Sequence, residues 1–310
     1  MGARKLTAAA VLLAVCTVGA VAFDWPLENP ILTGNFGEHR GDGFHSGVNL
    51  GGGEQPVFPI SEGELVFVHE EGAGRASVPA GLGNFVVLHH QGGIRSLYGH
   101  LKGGSLEGLE KTVTRRTVLG LLGDSGYAAG RHLHLRVIDT EMGTVINPLL
   151  LLPPLPDEQS PVIRDVYVRS GTELLSLAEG LTLRRGEFEV LARVYDVRPD
   201  VSYLWRLSPY RIVLYQDGRE QASLVFGTLH ERRGVGSQGE RPAGRTLAPG
   251  IVSELVLVGG EQSSRDIYEE PWLVRLGFVT LAPGESSLAV FAGDFAGNEI
   301  SREFSVRVTD

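Results

Sequence analysis

Short apolar runs alternate along this chain with polar, glycine-bearing breaks, and the run lengths are those of strands rather than helices. The clearest stretch is Gly123 to Val137, GDSGYAAGRHLHLRV, where a glycine-punctuated turn feeds His132 and His134 in alternation with Leu133 and Leu135. Side chains two apart on a strand share a face. The spacing therefore predicts both imidazoles on one face and both leucines on the other. Upstream, strands are predicted at Gly63 to His69 (following Pro59-Ile60), Asn84 to His90 and Ile94 to Leu101. The last two form a hairpin across Gly92-Gly93. Val118 to Leu122 and Leu133 to Ile138 add two more, and Gly103 to Lys111 is the only helical candidate in this half.

After Asn147-Pro148 and a leucine run comes PPLPDEQSP, Pro153 to Pro161, a proline-rich polar linker. Beyond it the strand pattern resumes at Val162 to Val168, Phe188 to Tyr195, Arg211 to Gln216 and Ala222 to Phe226. It continues at Ile251 to Val258, Trp272 to Thr280, Ser287 to Asp294 and Arg302 to Thr309, with turns at Asp217-Gly218 and Gly297-Asn298. Gly234 to Gly250 reads as a long polar loop. Eight strands without helices predict a β-sandwich of immunoglobulin type. The whole chain is expected to be all-β, in keeping with its 42 glycines and 16 prolines.

The N-terminus changes the compartment. Arg4 and Lys5 precede an apolar run from Leu6 to Val18, and Ala20-Val21-Ala22 is a small-x-small cleavage site, the pattern of a secretory signal. The run is short for a membrane span. Residues 1–22 are read as signal, 23–152 as a first domain, 153–161 as linker and 162–310 as the sandwich. The expected location is the periplasm or cell surface of a bacterium, with no membrane span in the mature chain. Cys16 is the only cysteine and lies in the signal, so disulfides and thiolate ligands are absent from the exported part. Leu13-Ala14-Val15-Cys16 resembles a lipoprotein box, with Val15 large for its place. Removing Arg4 and Lys5 from the 28 basic residues leaves 26 against 37 acidic ones, a formal charge of −11. Such a balance argues against nucleic acid as a partner.

Two neutral imidazoles on one strand face suit zinc, which takes nitrogen ligands in a compact tetrahedron. Two further segments present histidines: Phe44-His45-Ser46-Gly47-Val48-Asn49-Leu50, read as another short β segment, and Ser96-Leu97-Tyr98-Gly99-His100-Leu101. With these, the chain over about residues 26 to 150 resembles the lysostaphin-type peptidoglycan endopeptidases. That family shows His-x-Gly-x-Asp, then Tyr-x-His-Leu, then Gly-x-x-Gly-x-Ser/Thr-Gly-x-x-x-Gly-x-His-Leu-His. The resemblance implies a compact antiparallel β core of the duplicated hybrid motif type and one zinc ion. Its implied ligands are His45, the residue at position 49 and His134, with His100 and His132 as the non-ligand catalytic pair. Peptidoglycan peptide stems are the implied substrate.

Two positions depart from the pattern. Asn49 stands where the family has its aspartate ligand, and Arg136 where a glutamate is usual. A carboxamide oxygen coordinates zinc without bringing charge, so the site is expected to be weakened. Asp42 and Asp124 are the nearby acids that could replace the missing carboxylate. Two readings follow: a zinc metalloendopeptidase that tolerates Asn49, or a catalytically silent relative that binds wall or regulates other hydrolases.

His39, His69, His89, His90 and His230 match no motif position and read as surface or satisfied histidines, with His39 nearest to a cleft mouth. Tyr98 and Tyr127 could border a groove. Gly126 and Gly130 permit the turn, and no helix follows to make them a nucleotide loop. The second half has no concentrated reactive set and reads as a spacer or a site for an envelope protein partner. Asp294 is expected to fix the Gly297-Asn298 hairpin through local hydrogen bonds, the alternative being calcium binding by Asp294 and Asn298.

Overall fold

A computed structural model describes residues 22–41, 43–70, 81–177, 181–201, 205–230, 254–257 and 264–310. Residues 1–21 of the expected 1–22 signal, Asp42 and the loop 234–250 lie outside the described residues. Among the described residues the regular secondary structure is almost entirely strand, as the sequence pattern requires. Among the described residues no helix is long and apolar enough to cross a membrane.

One sheet runs through both halves of the molecule. Its strands, taken across the sheet, are Leu181–Arg184, Glu299–Thr309, Gly284–Gly293, Arg211–Gln216, Arg219–His230, Thr144–Ile146, His132–Asp139, Ile94–Leu101, Asn84–His89, Gly63–His69 and Thr112–Val113. The joint is the antiparallel pairing of Val145 with Leu229 and of Ile146 with Thr228. Next to it, the Asn147 side chain donates to the Phe226 carbonyl at 2.8 Å.

The His132–Asp139 strand is central. Ile94–Leu101 lies along one side, while on the other Val48–Gly51 covers its first half and Thr144–Ile146 its second. Leu133 and Leu135 point into the core with no exposure, beside Val48, Leu50 and Tyr98. That is the alternation read from the sequence.

A second sheet, Glu173–Ser176, Val162–Ser170, Gly186–Tyr195, Leu273–Leu281 and Tyr268–Glu270, packs face to face on the C-terminal part of the long sheet. Alternate residues such as Val166, Val190, Leu224, Val290 and Val306 fill the layer between. The arrangement is a two-sheet sandwich.

Some elements differ from expectation. Gly103 to Lys111 contains turns and no helix, because Gly104 and Gly108 hold φ of 72° and 75°. Val118 to Leu122 contributes only the two-residue strand Gly120–Leu121. Of Ile251 to Val258, Glu254–Leu257 is described, as a strand parallel to Arg219–His230. The Asp294 turn is as expected: its two carboxylate oxygens accept from the Asn298 backbone and side-chain N–H groups, each at 2.9 Å. Asp157, Asp196 and Asp294 bring carboxylate oxygens within 4.8 Å of one another, and Arg198 pairs with Asp157 there at 3.1 Å.

Candidate metal centre

Strand pairing sets Asn49 directly opposite His134. Directly opposed residues hold their Cβ atoms about 5 Å apart, so the carboxamide and the imidazole meet over one face. His45 joins them from a different kind of element. It lies in the link between the strands Gly43–Phe44 and Val48–Gly51 rather than on a strand, which corrects the expected β segment. The His39–Arg40 and Gly43–Phe44 hairpin delivers it, and its backbone is tied to Glu38 and Gly37, each at 2.8 Å.

Three donor atoms close a triangle. His45 Nε2 is 3.0 Å from Asn49 Oδ1 and 3.2 Å from His134 Nδ1, and His134 Nδ1 is 3.1 Å from Asn49 Oδ1. Ligands about 2.0–2.1 Å from a tetrahedral zinc ion lie about 3.4 Å from each other, so these atoms stand within a few tenths of an ångström of that geometry. His45 gives its Nδ1–H to the Asn35 carbonyl at 2.6 Å, which leaves a lone pair on Nε2. Asn49 Oδ1 also only accepts. At most one imidazole proton lies among three lone pairs, and a cation at their common focus would satisfy all three. The donor set fits zinc in geometry and falls short of it in charge.

Burial, with help from the Arg40 charge, pushes His45 down to about 4. Burial also holds His134 well below the usual histidine range, aided by His45, His100, His132 and Arg136. Both imidazoles are neutral at neutral pH, the form that binds metal. Gly47 is required at its place in the motif. A Cβ there would stand 2.4 Å from the Leu135 carbonyl oxygen and 2.9 Å from the His134 ring.

His100 and His132 sit beside this triangle, their ring centroids 4.7 Å apart and His100 6.1 Å from His134. Each commits Nδ1–H to a backbone carbonyl, His100 to Ser125 at 2.8 Å and His132 to Gly130 at 2.9 Å. Nε2 on each therefore keeps its lone pair. Burial lowers both pKa values, so both are neutral bases. His100 has φ of 64°, the left-handed region that costs a residue bearing a Cβ energy and concentrates at functional sites. Its N–H bond to the Leu82 carbonyl at 2.8 Å holds it there, and a Cβ on Gly123 would meet the His100 carbonyl oxygen at 2.7 Å.

All five residues line one open cleft of about 620 Å³. Asp124 is exposed and does not line it. Arg136 follows His134 on the same strand face. The unmatched histidines are elsewhere: His90 is bonded through both nitrogens, to the Glu62 carbonyl and Ser96 Oγ, and His39 bonds Ser264 Oγ at 3.1 Å instead of reaching the cleft. The His230 side chain lies outside the described residues. Tyr98 is a packing residue whose hydroxyl accepts from the Ile60 N–H at 2.8 Å, whereas Tyr127 is exposed on the cleft.

The spacing of motifs did not disclose the residues behind His45. Asn35, whose carbonyl fixes the ring, gives its Nδ2–H to the Ser208 carbonyl at 2.7 Å and takes the Glu38 carboxylate on its N–H at 2.7 Å. Glu38 is buried and pushed up to about 7, with the Arg40 charge at 2.7 Å opposing that rise. Tyr268 Oη donates to the Gly37 carbonyl at 3.1 Å. Ser208 and Tyr268 belong to the C-terminal half, some 170 to 230 residues away, so only folding brings them here.

Residues 43–148 match the model of Peptidase family M23. This part of the chain is an M23 peptidase domain. Over 115 residues it is 29% identical to the DD-carboxypeptidase/endopeptidase Mpg of Neisseria meningitidis, covering 37% of this chain and 24% of that protein. The chain thus spans about a quarter of the length of the curated relatives it matches. Among solved structures, the M23 domain is similar to a zinc containing peptidase from Vibrio cholerae, with 25% identity over 37% of this chain and 36% of that one and a TM-score of 0.32. The catalytic domain of lysostaphin from Staphylococcus simulans shows 25% identity over 34% of this chain and 77% of that one, with a TM-score of 0.29.

Proposed function

We propose that this chain is an exported zinc metalloendopeptidase that hydrolyses peptide cross-links of peptidoglycan. His45, Asn49 and His134 are its metal ligands, and His100 and His132 handle the proton. The observation that carries the reading is the triangle of His45 Nε2, Asn49 Oδ1 and His134 Nδ1, with edges of 3.0–3.2 Å, beside two neutral histidines in an open cleft. The M23 match and the Mpg similarity support the reaction class and the polymer. The basic, apolar and small-residue order of residues 1–22 supports export.

A zinc ion held by these three residues supplies Lewis acidity toward a peptide carbonyl and toward water. The chain's own residues do the rest. With Nδ1–H committed to a carbonyl, His100 and His132 each present Nε2 as a base of lowered pKa. One accepts a proton from the attacking water. The resulting imidazolium then donates that proton to the departing amine as the C–N bond breaks. The left-handed backbone of His100 keeps its ring over the cleft.

The uncharged Asn49 oxygen, with the Arg40 guanidinium near enough to depress His45 and His132, favours a second reading: a silent wall binder or regulator of other hydrolases. Metal analysis and digestion of cross-linked muropeptides separate the two. The enzyme reading expects about one equivalent of zinc and turnover that His134→Ala abolishes. Turnover seen only in Asn49→Asp would make the natural chain the silent relative. No zinc and no cleavage in either protein would overturn the hydrolase reading.

A further inference from the structure

We infer that Trp205, contributed by the C-terminal half, is a substrate-contact residue of the M23 cleft. The polymer is taken from the hydrolase reading above; the contact itself is argued from the cleft. Trp205 lines the same cavity as the histidines although it lies more than 70 residues beyond His132 in sequence. Its side chain is 48% exposed. A large indole left half in water contributes little to folding and offers apolar area to a ligand.

The three residues that follow it are anchored from several directions. Leu207 exchanges two hydrogen bonds with Asp196, at 2.7 and 3.0 Å. The Arg206 guanidinium lies over the Tyr195 ring at 4.4 Å. The Ser208 carbonyl accepts at 2.7 Å from Nδ2 of Asn35, the residue whose own carbonyl fixes His45. A ring next to an anchored segment loses less entropy when a ligand packs on it than one on a free loop.

Other cleft residues complement it. Tyr127, 81% exposed, adds a second free ring, and Arg40 and Arg131 add positive charge. Two flat apolar faces and two cations suit a molecule with sugar or peptide C–H faces and free carboxylates. Cross-linked muropeptides have both. A tryptophan in a concave site is the residue type that most often dominates binding energy.

The test measures binding by the full metal-free chain to a cross-linked muropeptide dimer, with and without its disaccharides, and KM of the zinc-loaded protein. Trp205→Ala is expected to weaken binding about tenfold and raise KM to match, with kcat within twofold. Trp205→Phe should stay within threefold of wild type. Phe278→Ala, which removes an exposed ring away from the cleft, should bind as wild type does. Loss on both probes assigns the contact to the peptide, and loss confined to the disaccharide-bearing probe assigns it to the sugar. Equal binding by Trp205→Ala and wild type overturns the inference, as does absence of wild-type binding. Trp205-dependent binding without turnover leaves it standing and overturns the hydrolase reading instead.

Discussion

A carboxamide at position 49 would offer a zinc ion an oxygen without charge, in a pocket that already feels the Arg40 guanidinium. Restoring the carboxylate in Asn49→Asp is therefore expected to raise zinc affinity tenfold or more, about 1.4 kcal/mol per decade, measured by competition against a chelator. Unchanged affinity would mean that position 49 is not a ligand. Gly47→Ala makes the complementary case. Its Cβ would stand 2.4 Å from the Leu135 carbonyl oxygen, so overpacking should cost about 1–3 kcal/mol and displace the His134 ring. Thermal unfolding and zinc titration of that variant check both effects. His45, Asn49, His100, His132 and His134 were all legible as candidates, because each lies within a few residues of a glycine-marked motif. Asn35, Glu38 and Arg40 were not, since their importance lies in what they touch.

Among the elements, the hairpin carrying His45 is held by parts of the second half. Phe226, fully buried, lies against Gly37, where a Cβ would meet its ring at 2.3 Å. Tyr268 Oη binds the Gly37 carbonyl and Ser208 Oγ. Tyr268→Phe removes those hydrogen bonds while keeping the ring. It is expected to cost about 1 kcal/mol of stability and to weaken zinc binding severalfold, whereas a purely structural hydroxyl would lower the melting temperature and leave zinc affinity alone. The long strands were read well from sequence, with Gly63–His69, Ile94–Leu101 and Arg211–Gln216 found at their observed bounds. The short edge strands Glu173–Ser176, Leu181–Arg184 and Tyr268–Glu270 were missed. Three or four residues carry too little alternation to register, and their pairing is decided by the neighbouring strand.

Across the whole molecule, a continuous sheet ties the halves together, and a buried acid, Asp196, lines a cavity where they meet. Burial first, and then the Asp294 charge, push Asp196 up to about 8. The folded chain therefore keeps a proton that the unfolded chain releases near pH 4. Asp196 favours the fold fully below that pH, and the contribution is lost as pH rises through about 8. The melting temperature should accordingly fall between pH 5 and 9. Asp196→Asn should flatten that fall and melt higher than wild type at pH 9. Parallel pH profiles for the two proteins would contradict the assignment.

By itself, the sequence determined the strand-rich class, the alternation that puts His132 and His134 on one face, and the motif order that marks an M23 domain. These depend on neighbours along the chain, where period and spacing suffice. The tertiary structure alone decided that the donor atoms of His45, Asn49 and His134 close to 3.0–3.2 Å, that the second half braces His45 through Asn35 and Gly37, and that Trp205 enters the cleft. Most of these contacts join residues tens to hundreds of positions apart. Their geometry follows from register and packing between strands, which no local pattern encodes.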